Sequence, residues 1–321
     1  MKDWKCRLKA DPTEWLLAVE NPPVRYWTLI DIVDRRQDDT QVLAARAAIP
    51  TYPPVAELLV AQEPEGYWVK PDYYLPRASR GTFWVLSVLG DLGLTAEEQH
   101  VQRGCNWMFT QQRENCAFCR HRRVPGKGVV WEAGTEPCTQ ARIVRFLIQF
   151  GYIEDPRLRR AIDWLLPIQR EDGMWFCRGG DGRGCLRATL DVIRLAALDP
   201  QTAVQPAIAQ AAAVVCDLMM QPRMSRYHVG EAWGTWECLK YPYFGFSVIS
   251  ALDALARLGY KLEVPPIKAA VDHLLSRQLP NGSWHLDEVW PHPPIDFGCP
   301  GEPNKWLTLD ALRVVKLLSS Q

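Results

Sequence analysis

The sequence predicts an all-α fold, an α/α toroid in which five to six helical hairpins form a double ring, with residues 1–321 as a single domain. Three observations carry that expectation. A seven-residue pattern, Gln-x-x-x-Gly-x-Trp, occurs at Gln62–Trp68, Gln169–Trp175 and Gln278–Trp284. The copies lie 107 and 109 residues apart, and midway between them Gln111 or Gln112 and then Gln221 close two more apolar helical patterns without the Gly-x-Trp half. The period is therefore about 54 residues, the size of a supersecondary unit that buries its apolar face only by stacking on its neighbours. The third observation is that two kinds of helical pattern alternate along the chain.

The first kind ends at the glutamine. It covers roughly 53–62, 98–111, 156–168, 203–219 and 265–277, where apolar residues recur at three and four positions, as in Leu158, Ile162, Leu165 and Leu166. The opposite face is polar, so these helices belong to an outer ring. The second kind follows the Gly-x-Trp turn, at roughly 80–92, 139–151, 185–198, 244–258 and 305–318, and is apolar nearly all round. Helices of that composition are buried and form the inner ring, with 24–34 as a sixth member. Gly93, Gly151 and Gly259 supply the left-handed residue that ends a helix, and proline starts many of the next ones.

Composition narrows the function. With 37 basic and 37 acidic side chains the net charge is zero, which gives no long-range attraction for nucleic acid or anionic lipid. No run of 18 apolar residues predicts a membrane span, and Met1-Lys2-Asp3-Trp4-Lys5 lacks the apolar core of a signal peptide, so a cytoplasmic location is expected.

The Gln-x-x-x-Gly-x-Trp segments resemble the QW motifs of squalene–hopene and oxidosqualene cyclases, and the alternating helices resemble the wider superfamily that includes protein prenyltransferase β subunits. The resemblance covers nearly the whole chain and implies that Gln62, Gln169, Gln278, Trp68, Trp175 and Trp284 tie neighbouring repeats together. It implies terpene cyclase- or prenyltransferase-like activity if the protein is an enzyme. The acidic Asp-x-Asp-Asp-Thr motif of those cyclases is absent, however. The nearest string, Arg36-Gln37-Asp38-Asp39-Thr40, has arginine in the first place and precedes an apolar helical pattern, where Asp38, Asp39 or Thr40 would cap the helix.

Five of the ten cysteines are grouped. Cys116 and Cys119 form a Cys-x2-Cys pair, Cys138 precedes one inner helix, and Cys177 and Cys185 bracket the equivalent turn a repeat later. Starts of consecutive inner helices lie side by side in a toroid, so these thiolates are candidate ligands of a structural zinc. Burial as free thiols is the alternative. The prenyltransferase subunits use Asp, Cys and His instead, and no clear Asp-x-Cys with a downstream His stands at an inner-helix start here.

The first turns of the inner helices repeat aromatic and cationic side chains: Trp27, Arg80, Trp84, Arg142, Arg187, Tyr243, Lys305 and Trp306. An aromatic hollow suits a polyene, and cations among helix N-termini suit a diphosphate or other anionic head. The expected function is therefore an isoprenoid- or lipid-handling protein with an apolar central cavity and a basic mouth. Two alternatives stand beside it. In one, the tryptophans fill the core and the arginines pair with Asp31, Asp91, Asp191, Asp253 and Asp310 on adjacent inner helices. In the other, the protein is a non-catalytic toroid whose rim, stapled by zinc, docks a protein partner.

Overall fold

A computed structural model describes residues 4–71, 80–114, 116–118, 120–124, 126, 128–132, 136–176, 184–221, 236–243, 247–290 and 292–319. The inner elements are α2 (Pro22–Trp27, continued by a π turn at Thr28–Ile32), α5 (Thr82–Asp91), α7 (Pro137–Gln149), α9 (Leu186–Ala196), α12 (Val248–Arg257) and α14 (Lys305–Ser319). From α5 onward each packs on the next in that order, α14 returns to α2 and the π turn, and Trp27 Nε1 donates to the Asp91 carbonyl at 3.1 Å, linking α2 to α5 and closing the ring. Outside them lie α3 (Thr40–Ala47), α4 (Pro53–Val60), α6 (Gln99–Thr110), α8 (Pro156–Leu165), α11 (Pro206–Leu218) and α13 (Pro265–Ser276), with the short α1 (Thr13–Leu16) and α10 (Pro200–Ala203) between elements. This is the all-α toroid that the periodicity predicts.

Burial separates the rings as their composition requires. Every residue of α5 from Thr82 to Gly90 is buried, whereas α8 buries only Leu158, Ala161, Ile162 and Leu165. The strands are short. An antiparallel hairpin joins β1 (Arg120–Val124) to β2 (Gly128–Glu132), and two-residue pairs join β3 (Trp175–Phe176) to β4 (Gly184–Cys185) and β5 (Lys240–Tyr241) to β6 (Glu288–Val289).

The repeated glutamines connect one hairpin to the next. Gln62 Nε2 donates to the carbonyls of Gly66 (3.0 Å) and His100 (2.8 Å), and Gln169 Nε2 to those of Gly173 (2.9 Å) and Ala207 (2.8 Å). Gln278 Nε2 reaches Gly282 and then Ala10, joining the last repeat to the first. Gln112, not Gln111, makes the same pair of bonds to Cys116 and Arg157, while Gln221 bonds only the carbonyl of Asp217 on its own helix. The tryptophans act within a repeat. The indole N–H of Trp68, Trp175 and Trp284 donates to Leu58, Leu165 and Leu274 respectively, and each backbone N–H donates to the threonine hydroxyl of the following inner helix, Thr82, Thr189 or Thr308. Trp236 Nε1 makes the corresponding bond to Leu218, so this repeat does carry a Gly-x-Trp, Gly234-Thr235-Trp236, placed thirteen residues beyond Gln221 instead of four.

Candidate functional site

Inner helices that are apolar all round still carry a few charges, and the toroid brings these together. Asp191 and Arg194 stand three residues apart on α9, Asp310 and Arg313 three apart on α14, and Asp253 and Arg257 four apart on α12, spacings that put each pair on one helix face. Arg194, Arg257 and Lys316 occupy last turns, where the negative end of the helix dipole favours a cation. Together with Asp31, Asp91 and Arg145 they form a charged belt around the centre.

Inside the belt is a partly enclosed chamber of about 480 Å³, lined mostly by the C-terminal halves of the inner helices. Tyr26, Trp27, Tyr241 and Tyr243 contribute aromatic surface, and Asp31, Asp91, Asp253, Asp310, Arg46, Arg145, Arg194, Arg257 and Arg313 contribute charge. Arg145 pairs with Asp91; Arg313 bridges Asp31 and Asp310 at 2.6 Å each; Arg257 meets Asp253 at 3.0 Å. Arg313 also lies over the Trp27 ring at 5.0 Å. A second, more open groove of about 290 Å³ shares Arg46, Gly93, Leu94 and Thr95 with the chamber and adds Leu43, Ala47, Ile49 and Pro50, with Glu97 and Glu98 also in its lining. Gly93 sits at this junction with φ +95°, and a Cβ there would meet the Tyr26 ring at 3.1 Å.

The electrostatics of the belt are uneven. Burial opposes the Asp91 carboxylate, but the charges of Arg145 and Arg194 and hydrogen bonds from Arg145 and Gln149 outweigh it, and its pKa falls below the ordinary value. Burial dominates at Asp310 and raises its pKa despite Arg313. Arg194 is pushed down to about 10, first by burial and then by the Arg145 charge. Tyr243 is 9% exposed; burial first, and then the Asp310 charge, raises its pKa well above the ordinary value, and its hydroxyl makes no hydrogen bond of good geometry.

The expected site residues are distributed differently from the sequence reading. Trp27 and Tyr243 line the chamber. Arg142 is 2% exposed and its Nη2 donates to both carboxylate oxygens of Asp191, at 2.8 and 3.0 Å, so it braces α7 against α9 rather than facing a mouth. Lys305 pairs with Glu20 at 2.9 Å, over the Trp15 ring. Trp84 packs against Trp290, and Trp306 stacks on Tyr241 with Phe297 at its edge. Arg80 is exposed before α5, and Arg187 is half-buried in the first turn of α9. The N-terminal ends of the inner helices thus hold an aromatic core, and the apolar hollow expected there is replaced by a charged chamber toward their other ends. The pairing alternative holds for Arg142 with Asp191, and for three arginines that the sequence reading did not single out, Arg145, Arg257 and Arg313. Their signal was present as Asp-x2-Arg and Asp-x3-Arg spacing inside apolar helices.

Asp39 accepts from the Gln41 N–H at 2.8 Å and caps α3, and Asp38 forms an exposed pair with Arg36. The Arg36–Thr40 string is therefore a helix start. Cys119 and Cys177 lie outside the described residues. Cys138 and Cys185 are buried at the starts of the neighbouring helices α7 and α9, and Cys116 Sγ contacts the Glu114 carbonyl at 3.6 Å. Among the described residues no group of three or more Cys, His, Asp or Glu side chains is placed to hold a metal, and no helix is long and apolar enough to cross a membrane.

No family model matches the chain. Over 125 residues, 38% of the chain, it is 26% identical to squalene–hopene cyclase of Bradyrhizobium diazoefficiens, and the match spans 18% of that relative's length. The type II terpene cyclase MstE of Scytonema, an alanine variant in complex with geranylgeranyl dihydroxybenzoate, superposes with a TM-score of 0.50 at 18% identity, covering 94% of this chain and 88% of the other. A protein from Actinoplanes aligns over 95% and 90% of the two chains at 18% identity, with a TM-score of 0.47. The chain is an α/α toroid, similar in fold to that type II terpene cyclase and, over part of its sequence, to squalene–hopene cyclase.

Proposed function

We propose that this protein binds a small amphipathic molecule, an isoprenoid or a compound of similar build, with its polar group in the charged chamber and its hydrocarbon arm in the adjoining groove. The observation that carries the reading is the junction at Gly93–Thr95, where a chamber walled by carboxylates and guanidiniums meets the apolar floor of Leu43, Ala47, Ile49, Pro50 and Leu94. A hydrocarbon inside the chamber would displace solvation from the charged groups without replacing it. In the groove it gains roughly 25 cal/mol for each Å² buried. The relatives support the ligand class through their names, a squalene–hopene cyclase and a terpene cyclase holding a geranylgeranyl compound.

Calorimetric titration of prenyl alcohols from dimethylallyl alcohol to farnesol tests this. Affinity should rise with chain length, and Leu43→Glu, at a residue already 49% exposed, should remove that gain while sparing the shortest alcohol. Absence of heat and of any melting shift for the whole series would overturn the reading.

A second reading concerns the rim. Cys138 and Cys185, on adjacent inner-helix starts, are the part of the cysteine group that supports a structural zinc, its four thiolates completed by two of Cys116, Cys119 and Cys177. Such a metal would staple the loops that a protein partner would meet.

A further inference from the structure

We infer that the chamber is built to receive a single carboxylate, and that Arg194 is its anchor. The inference rests on the amphipathic-ligand reading and specifies the polar group. It begins from the distribution of partners among the chamber guanidiniums. Arg145 has Asp91, Arg257 has Asp253, Arg313 has both Asp31 and Asp310, and Arg46 has Glu97 at 2.7 Å.

Arg194 has no carboxylate of its own. Its nearest, Asp191, already accepts twice from Arg142 and stands 3.7 Å from Arg194 Nη1. The remaining contact of that nitrogen is a 3.4 Å hydrogen bond to the Tyr243 carbonyl. Among the described residues its Nε and Nη2 make no hydrogen bond to the protein. Yet Arg194 is only 8% exposed and lines the chamber. A buried guanidinium in that state is costly unless an anion reaches it, and burial together with the neighbouring Arg145 charge, which Asp191 and Asp91 do not offset, disfavours its charged form. Tyr243, whose ring lies 5.7 Å from the same guanidinium, brings a buried hydroxyl without a well-formed hydrogen bond to the same wall.

The placement of charge, not its total, selects the anion. Guanidiniums and carboxylates balance in number, but Arg194 is left undersupplied on one wall while Asp31 and Asp310 share one arginine on the other. A carboxylate matches one guanidinium in charge and in its two acceptor oxygens. A diphosphate would bring several negative charges into a space already holding Asp253 and Asp310, where like charges repel strongly at low dielectric.

Farnesoic acid, farnesol and farnesyl diphosphate, titrated into the wild type, Arg194→Gln and Arg194→Lys, provide the test. The acid should bind the wild type at least about tenfold more tightly than the alcohol, the ratio one charge-assisted hydrogen bond supports. Arg194→Gln should lose that preference, weakening the acid far more than the alcohol, and Arg194→Lys should keep part of it. If Arg194→Gln does not fold, the ratio in the wild type and its reduction in Arg194→Lys decide. Equal binding of acid and alcohol would overturn the anchor and leave the amphipathic reading intact. Tightest binding by the diphosphate would also overturn it, and binding by none of the three would remove both readings.

Discussion

Arg142 and Asp191 are joined by two hydrogen bonds of 2.8 and 3.0 Å between helices α7 and α9, with neither residue more than 3% exposed. Such a pair is costly to break on one side only, because the remaining charge is then buried alone. Arg142→Ala and Asp191→Ala should each lower stability by about 3–5 kcal/mol. The double change Arg142→Leu with Asp191→Leu should cost clearly less than the sum of the two. Urea denaturation of the four proteins measures this.

The glutamine bonds between repeats make a graded prediction. Gln169→Ala removes two hydrogen bonds, one of them to Ala207 of the next outer helix, and should cost about 1–3 kcal/mol. Gln221 bonds only its own helix from an exposed position, so Gln221→Ala should fall within about 0.5 kcal/mol of wild type. Equal losses would show that the link between repeats contributes nothing specific.

Two chamber aspartates should move stability with pH in opposite directions. The folded pKa of Asp91 lies below 3.8, so its contribution is complete above that value and is lost as pH falls through the folded pKa. The folded pKa of Asp310 lies above 3.8, so its contribution is present at acid pH and is lost as pH rises through the folded pKa. Asp310→Asn should therefore gain stability relative to wild type on going from pH 4 to 7. Asp91→Asn should lose stability relative to wild type over the acid limb from pH 2 upward. Melting curves across pH 2–7 give both slopes.

The rim cysteines are tested by elemental analysis of protein purified without chelator. A structural zinc requires close to one metal per chain and a melting temperature that falls in strong chelator. Less than about 0.2 zinc per chain, with unchanged melting, would return Cys116, Cys138 and Cys185 to packing thiols that bind no metal.

Much of the ring architecture was legible because its signals are local. A three- and four-residue apolar spacing reports a helix face wherever the helix ends up, so the outer pattern at 156–168 became α8 with a following 3-10 turn at Leu166–Ile168. Glycine at Gly93, Gly151 and Gly259 takes φ between 91° and 98° because a helix terminated there needs a left-handed residue. The Gln-x-x-x-Gly-x-Trp repeat set the period, since each copy closes a hydrogen-bonded turn within four residues of its glutamine.

What the tertiary structure alone decided is which charge meets which, and therefore where the charged chamber lies. Arg142 and Asp191 are 49 positions apart, and Arg313 and Asp31 are 282 apart. Helical spacing placed each of these groups on an inner face but could not say which neighbour it would oppose, because that depends on the rotation of each helix about its axis and on ring closure. The same rotation turned Trp84 and Trp306 into the aromatic core, tied Arg142 to Asp191, and left Arg194 facing the chamber with Asp191 already taken. A sequence fixes the inventory of charges on each helix. Which guanidinium is left without a carboxylate of its own in a closed space is a property of the packed ring.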